Sequence, residues 1–246
     1  MANDIFCLDR RDFLKAGAAI LLPVSMLGQA SAQSAGGKLK IGVIGAGNIG
    51  GTIGGLWVKA GYQVLFSSRH PEELKSLVEG MGPLAKAGTV GEALDFGDVI
   101  LVAVPYAAIP QLARDYGPKF AGKVVIDPAN AVARRDGEAL VAETKEKGIG
   151  NTTQSYLQGS HVVRAFNSMS YTNFAKEAHR TGDPMAIPMA GDDAHAVEVA
   201  SQLVRDVGFD PVVVPLQRAQ EFAQGGPIYG KQLTAKELRE RFGLSQ

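Results

Sequence analysis

Cysteine is nearly missing from this chain: among 246 residues only Cys7 is a thiol. A lone thiol can form neither an intramolecular disulfide nor a thiolate metal cluster, and no His/Cys spacing typical of a metal site takes its place. Surplus charge is missing too. Lysine plus arginine number 25 and aspartate plus glutamate 25, so no basic excess is available to neutralise a phosphate backbone, and nucleic acid is not an expected partner. With 46% apolar and 20% charged residues, the composition is that of a globular chain able to bury a core.

The amino-terminal region reads as an address. Asp9 to Lys15 spell D-R-R-D-F-L-K, an apolar stretch of about a dozen residues runs from Ala16 to Leu27, and Ala30-Ser31-Ala32 follows as a small-x-small cleavage signal. That stretch falls short of the roughly 20 residues a permanent membrane span needs. Paired Arg10-Arg11 before Phe13, Leu14 and Lys15 resembles the twin-arginine export signal, with Asp9 where serine or threonine is usual. The expected organisation is a signal peptide over 1–32, cleaved after Ala32, then a linker over 33–38. This makes the twin-arginine machinery an expected partner and the periplasm, or another exported location, the expected destination. The alternative, an amphipathic first helix of the domain, is opposed by Pro23 and the polar and small residues that follow.

From Lys40 onward, strand-like apolar runs alternate with helical patterns, as in βαβ units with a parallel sheet. Strands are expected at 40–44, 63–66, 98–104, 123–126, 161–165, 185–189 and 211–214, and helices at 49–60, 71–79, 109–115, 195–207 and 234–241. The fold class is α/β: a doubly wound, mostly parallel Rossmann sheet of seven to eight strands in one domain over 39–216, with 217–246 as a tail carrying one short helix.

The densest motif is Ile41-Gly42-Val43-Ile44-Gly45-Ala46-Gly47-Asn48-Ile49-Gly50, an apolar strand running into G-x-G-x-x-G and a helix. Gly45 suits the tight turn, Gly47 the approach of a pyrophosphate to the backbone, and Gly50 close packing of helix on strand. The helix amino terminus would turn unpaired N–H groups on the phosphates. A glycine turn without a ligand is the competing reading. About 20 residues on, an NAD-binding domain offers a carboxylate to the adenosine ribose. Here the chain reads Phe66-Ser67-Ser68-Arg69-His70 instead. Two hydroxyls and a guanidinium suit the 2′-phosphate of NADP, which a carboxylate would repel; the alternative is a solvated turn.

At this point the chain resembles the NADP-dependent oxidoreductases that act on the deazaflavin coenzyme. Their cofactor domain is similar to that of pyrroline-carboxylate reductases and transmembrane metalloreductases. The resemblance covers nearly all of the mature chain and is carried by 41–50, Ser68-Arg69, Val102 to Pro105, Val125 to Asn130, Val162 to Asn167 and Ala190 to Asp193. It implies that Gly45, Gly47 and Gly50 hold the pyrophosphate and that Ser68 and Arg69 hold the 2′-phosphate; Ala46, Asn48 and Ile49 of the same turn, and Ser67 beside the pair, are expected in the cofactor site with them. It also implies that Val104 and Pro105, with Tyr106 beside them, flank the nicotinamide. Ala165, Phe166, Asn167 and Asn130 would form the acceptor side, with Met169 and Tyr171 as further lining residues. The family usually has Asn-Pro after the fifth strand, whereas this chain has Asp127-Pro128 followed by Asn130.

The implied reaction is hydride transfer between NADP(H) and a flavin, a deazaflavin or another planar redox acceptor, for which positioning supplies most of the catalysis. A carbonyl or imine acceptor would also need a proton donor. His70, His161, His179 and His195 are each expected to be structural or surface groups, and Gly191-Asp192-Asp193 reads as a helix cap. No catalytic acid or base is therefore named. Two other readings stay open: a silent NADP-binding subunit or sensor, and a carbonyl or imine reductase that takes its proton donor from a partner chain in a homo-oligomer. Export also poses a supply problem, because a free NADPH pool is not expected outside the inner membrane.

Overall fold

The computed structural model describes residues 38–245; the segment read as a signal peptide lies outside them. Eight strands, β1 (Lys40–Ile44), β2 (Gln63–Ser67), β3 (Ala85–Gly88), β4 (Val99–Val102), β5 (Val124–Asp127), β6 (His161–Arg164), β7 (Ala186–Ala190) and β8 (Asp210–Val214), form one sheet in the order 3-2-1-4-5-6-7-8. All neighbours pair in parallel except β6 and β7. The first six follow the Rossmann order with its switch point between β1 and β4. Among the described residues nine α-helices lie between the strands and a tenth follows β8: α1 (Asn48–Lys59), α2 (Lys75–Met81), α3 (Val90–Phe96), α4 (Ile109–Phe120), α5 (Ala133–Asp136), α6 (Glu138–Lys147), α7 (Ile149–Tyr156), α8 (Tyr171–Glu177), α9 (Ala194–Arg205) and α10 (Ala235–Phe242).

The strands form where apolar runs can be buried on both faces, as a parallel sheet covered by helices requires. In β4, Val99 and Leu101 join one core with Ile41, Val43, Trp57 and Phe66. Ile100 and Val102 join the other with Tyr106, Ile109, Phe120 and Val125. The alternation within a four-residue apolar run thus serves two cores at once. Trp57 anchors α1 by its volume and by an indole N–H donated to the Leu203 carbonyl of α9 at 3.0 Å.

All seven expected strands are present near their expected places. β3 was not expected, since its Ala-Lys-Ala-Gly sequence has no β-branched or aromatic residue and is a strand only because β2 supplies its ladder. The expected helix at 71–79 divides into a 3₁₀ turn at Pro71–Leu74 and α2. The helix expected over 109–115 continues to Phe120, with Pro118 inside its last turn. Helix α3 carries a capping box between Thr89 and Glu92, a sequence signal that marked a start with too short an apolar pattern behind it. The stretch after 216, expected as a tail, puts Phe222, Ile228, Leu238 and Phe242 into the second core, and α10 packs on β7 and β8.

At the carboxyl ends of β5 and β6, Asp127 and Arg164 form a fully buried ion pair. Asp127 also accepts bonds from the Thr153 hydroxyl of α7 and from the Ala129 N–H, both at 2.8 Å. Arg164 reaches past Asp127 to the Ala129 carbonyl at 2.6 Å. The Tyr106 hydroxyl meets Thr153 Oγ1 at 3.0 Å; burial, followed by the Asp127 charge, pushes its pKa well above the usual phenol value. One carboxylate therefore ties two strand ends, a loop and a helix together. Removing the cation would leave a buried charge without its partner, so Arg164→Met is expected to cost about 3–5 kcal/mol in a urea unfolding titration. A loss below about 1 kcal/mol, the range of an exposed pair, would show that the pair does not hold these elements.

Candidate nucleotide site and acceptor cleft

The glycine turn is built by close backbone approach. Gly45 has φ +93°, and a Cβ there would lie 2.4 Å from the Ala103 carbonyl oxygen. At Gly50 a Cβ would sit 1.9 Å from the Gly45 carbonyl oxygen, so any side chain would force α1 off the strand. The turn is fixed laterally by the Gly45 N–H on the Ser67 carbonyl at 3.1 Å. Gly47 differs from both. A Cβ there meets nothing within 4 Å, so the protein packing does not require glycine at 47, while a nucleotide phosphate approaching the backbone would. Gly47 caps α1 without a side-chain bond, and the first turn of α1 has no acid. Its N–H groups and positive dipole end are open to an anion.

The end of β2 lies beside this turn, Ser67 being in register with Ile44 of β1. Ser67 is not a phosphate-facing group: it is fully buried and its hydroxyl donates to the Val43 carbonyl at 2.9 Å. It braces the turn. Ser68 Oγ accepts the His70 N–H at 2.9 Å, which leaves its own proton free to donate. Arg69 is exposed, with no hydrogen bond or ion pair to another described residue. His70 pairs instead with Glu72 at 3.4 Å.

A cleft of about 390 Å³ opens at the carboxyl ends of the strands. Gly47, Asn48, Ile49, Val104 and Pro105 form its cofactor-side wall, and Asn130, Phe166, Asn167, Met169 and Tyr171 line the far side. Two expected residues are placed elsewhere. Tyr106 turns into the second core towards Thr153. Ala165 is buried in the first core. Phe166 contributes to the lining, but its ring is fully buried and makes edge contacts with Trp57, Phe174 and Phe209 at 5.9, 5.5 and 6.4 Å. Phe166 also holds φ +59°, a left-handed conformation that costs a non-glycine residue roughly 1–2 kcal/mol. The three aromatic edges hold it there, and the bend brings Asn167 to the cleft.

The acceptor-side wall is a hydrogen-bonded loop. The Asn130 amide donates to the Asn167 carbonyl at 2.7 Å, and its Oδ1 accepts the Gln224 N–H at 3.1 Å. Asp136 clasps the Val132 and Ala107 N–H groups at 2.8 and 3.1 Å and pairs with Arg135. Burial raises its pKa, but the Arg135 bond and the two N–H groups outweigh that and hold the carboxyl below its ordinary value. Arg135, Gln224 and Tyr229 line the cleft as well, and the sequence reading missed all three. Gln224 and Tyr229 were assigned to the tail; the Gly225-Gly226-Pro227 turn between them was the available signal of a chain reversal.

Among the described residues, the cleft lining contains no histidine and no carboxylate. His161 lies 3.3 Å from Asp193. Asp193 caps α9 by accepting the Ala196 N–H at 2.8 Å, as the Gly-Asp-Asp sequence suggested.

These contacts separate binding from folding. Gly47→Val is expected to keep the native circular dichroism and thermal transition while losing nucleotide binding, because its side chain enters only the space a phosphate needs. Gly50→Val, with its clash against the Gly45 carbonyl, should lose both. Retained nucleotide affinity in soluble Gly47→Val, measured by calorimetric titration, would place the phosphates elsewhere.

Residues 40–131 match the model of the family described as NADP oxidoreductase, coenzyme F420-dependent. Metalloreductase STEAP3 of Rattus norvegicus is 27% identical over 176 residues, 70% of this chain and 33% of that protein. The chain thus spans about a third of the length of this curated relative. Among solved structures, a hypothetical protein of Sinorhizobium meliloti superposes with a TM-score of 0.69 at 24% identity, covering 80% of this chain and 96% of the other. A candidate F420-dependent NADP-reductase of Arthrobacter sp. FB24 gives 0.67 at 21% identity, covering 84% and 96%. A pyrroline-5-carboxylate reductase of Coxiella burnetii gives 0.55 at 18%, covering 85% and 73%. At these identities the structures establish the fold alone: a single Rossmann-like α/β domain. The match over 40–131 and the metalloreductase likeness relate it to the NAD(P)-dependent oxidoreductases.

Proposed function

We propose that this protein is an NADPH-dependent oxidoreductase that moves a hydride between NADP(H) and a planar, flavin-like acceptor. The observation that carries the reading is the single cleft in which the open Gly47 turn and Val104-Pro105 face Asn130, Asn167, Met169 and Tyr171. The dinucleotide supplies the hydride from its nicotinamide ring when bound. The chain's own residues bind and orient: the α1 amino terminus and the Gly47 backbone hold the pyrophosphate, Val104 and Pro105 back the nicotinamide, and the Asn130–Asn167 pair fixes the opposing wall. With no carboxylate or imidazole in the described lining, alignment of two rings and exclusion of water account for the rate.

Ser68 and Arg69 support NADP over NAD. An exposed guanidinium beside a hydroxyl, with no acid at the end of β2, favours a 2′-phosphate. NADPH is expected to bind at least about tenfold more tightly than NADH, or about 1.4 kcal/mol, and Arg69→Ala should erase most of that preference. Equal affinities in wild type, or an unchanged ratio in the variant, would refute the cofactor assignment.

Turnover decides between an enzyme and a silent nucleotide-binding subunit. Mature protein should oxidise NADPH, followed at its nicotinamide absorbance, when a flavin or quinone is added; binding without turnover of any acceptor would favour the subunit. Should carbonyls or imines be reduced instead, the hydroxyls of Tyr171 and Tyr229 in the lining are the groups to test as proton donors.

Export fits the same reading. A domain whose nucleotide lies between a backbone turn and a helix end must fold to bind it, and the twin-arginine route carries folded proteins, so loading in the cytoplasm would precede transport. Replacing Arg10 and Arg11 by lysine keeps charge and removes the planar guanidinium. The variant is expected to accumulate as a folded, uncleaved cytoplasmic precursor, while wild type begins near Gln33 outside the inner membrane. Fractionation with amino-terminal sequencing reads both, and normal export of the double variant would refute the route.

A further inference from the structure

Among the described residues, one charged side chain lines the cleft: Arg135, on the short helix α5. It is 47% exposed, whereas the side chain of Asp136, with which it pairs at 2.9 Å, is fully buried. An occupant of the cleft therefore meets the guanidinium and not the carboxylate. The cation is also held in place. Its Nε donates to the two Asp136 oxygens at 3.1 and 3.2 Å, and its Nη2 donates to Asp136 and to the Asn130 carbonyl. Asp136 is fixed in turn by the Val132 and Ala107 N–H groups. Nη1 donates to no described residue. A guanidinium has five N–H donors and keeps its charge throughout the physiological pH range, so the pair on Nη1 is left for a ligand.

The reaction supplies a group for it to meet. Hydride transfer breaks one C–H bond of the nicotinamide and forms one bond to hydrogen at the acceptor ring. NADPH becomes NADP+, and a neutral ring that has taken both electrons is a monoanion until an acid protonates it. The lining offers no imidazole and no carboxyl group; its only other ionisable side chains are the phenols of Tyr171 and Tyr229. We propose that Arg135 stabilises the reduced acceptor as its anion, with Nη1 donating to the N–C=O edge of the ring over which the new charge spreads. A donor positioned beforehand for charge that appears only during the reaction favours the transition state over the ground state. The inference rests on the proposed planar acceptor and narrows it to rings that are stable anions once reduced. Imines, whose product needs a proton, are thereby disfavoured.

The test uses the folded mature protein and lumiflavin, a flavin ring without a side chain, in two pairs that cannot react. These are oxidised lumiflavin with NADP+ and, without oxygen, the reduced lumiflavin anion with NADPH. Calorimetric titration then reads affinity alone. Arg135→Gln keeps an amide donor for Asp136 and the Asn130 carbonyl. It should weaken reduced lumiflavin about tenfold, the scale of one hydrogen bond to a charged group, and change oxidised lumiflavin and NADPH little. In turnover, kcat for NADPH oxidation by lumiflavin should fall by a similar factor with KM nearly kept. Arg135→Lys restores the charge without the fork and should recover most of both losses, which it would not do for a residue that only braces the loop. Arg135→Met repeats the measurement should the glutamine variant fail to fold. Equal weakening of both lumiflavin states, or no change in either, overturns the role of Arg135 while the acceptor class stands. Loss of NADPH affinity in Arg135→Gln gives the guanidinium to the cofactor and overturns it as well. If wild type neither binds nor reduces lumiflavin, the proposed function falls with it.

Discussion

The buried Asp127–Arg164 pair is the constraint on which the working end of this domain depends. Two full charges withdrawn from water are tolerated only when each is paired and hydrogen-bonded, and here that demand determines the course of the chain around them. Asp127 must accept from Thr153 and the Ala129 N–H, and Arg164 must reach the Ala129 carbonyl. Those bonds draw α7 under the ends of β5 and β6 and bend the chain at Pro128-Ala129 towards Asn130. The aspartate where the resembling family has asparagine is thus matched by a cation from the neighbouring strand. An asparagine could bond the same neighbours but would leave the Arg164 charge without its counterion.

From that tie the cleft follows in steps. Asn130 leaves the loop pointing at Asn167 and Gln224, so three segments distant in sequence share one side chain. Phe166, forced to a left-handed conformation by the aromatic group around it, swings Asn167 to the same place. Across the gap the glycine turn is held by sterics and by the Gly45 N–H bond to the Ser67 carbonyl: Gly45 and Gly50 allow no side chain against Ala103 and against each other, and Gly47 has open space before it. One wall is therefore set by close backbone contact and the other by a polar network.

Much of this was legible in the sequence, and the limits have physical causes. Strands buried on both faces announce themselves as apolar runs, and seven were readable; β3 was not, because a small-residue edge strand gains its structure from its neighbour. Helix α6 was missed because much of its surface is exposed, and α7 because its buried face is mostly Gly150, Thr152 and Thr153, so little apolar periodicity marks either. The direction of a side chain was the hardest thing to read. Ser67 and Tyr106 have the right chemistry at the right sequence distance, yet strand alternation turns Ser67 to Val43 and the 3₁₀ turn at Tyr106–Ala108 sends the tyrosine ring into the core.

The sequence by itself determined the elements that depend on local conformation: the G-x-G-x-x-G turn, in which Gly45 takes a left-handed angle and Gly50 lies against the Gly45 carbonyl, the end of β2 without a carboxylate, and the alternation that makes a doubly wound sheet. Tertiary structure alone decided the acceptor side. The partner of Asp127 lies 37 residues away and that of Asn130 Oδ1 lies 94 away; Gln224 and Tyr229 line a cleft whose other walls come from the segments that follow β1, β4, β5 and β6. Buried charges and unsatisfied amides choose their partners only after the sheet has brought distant segments together, and no local pattern records that choice.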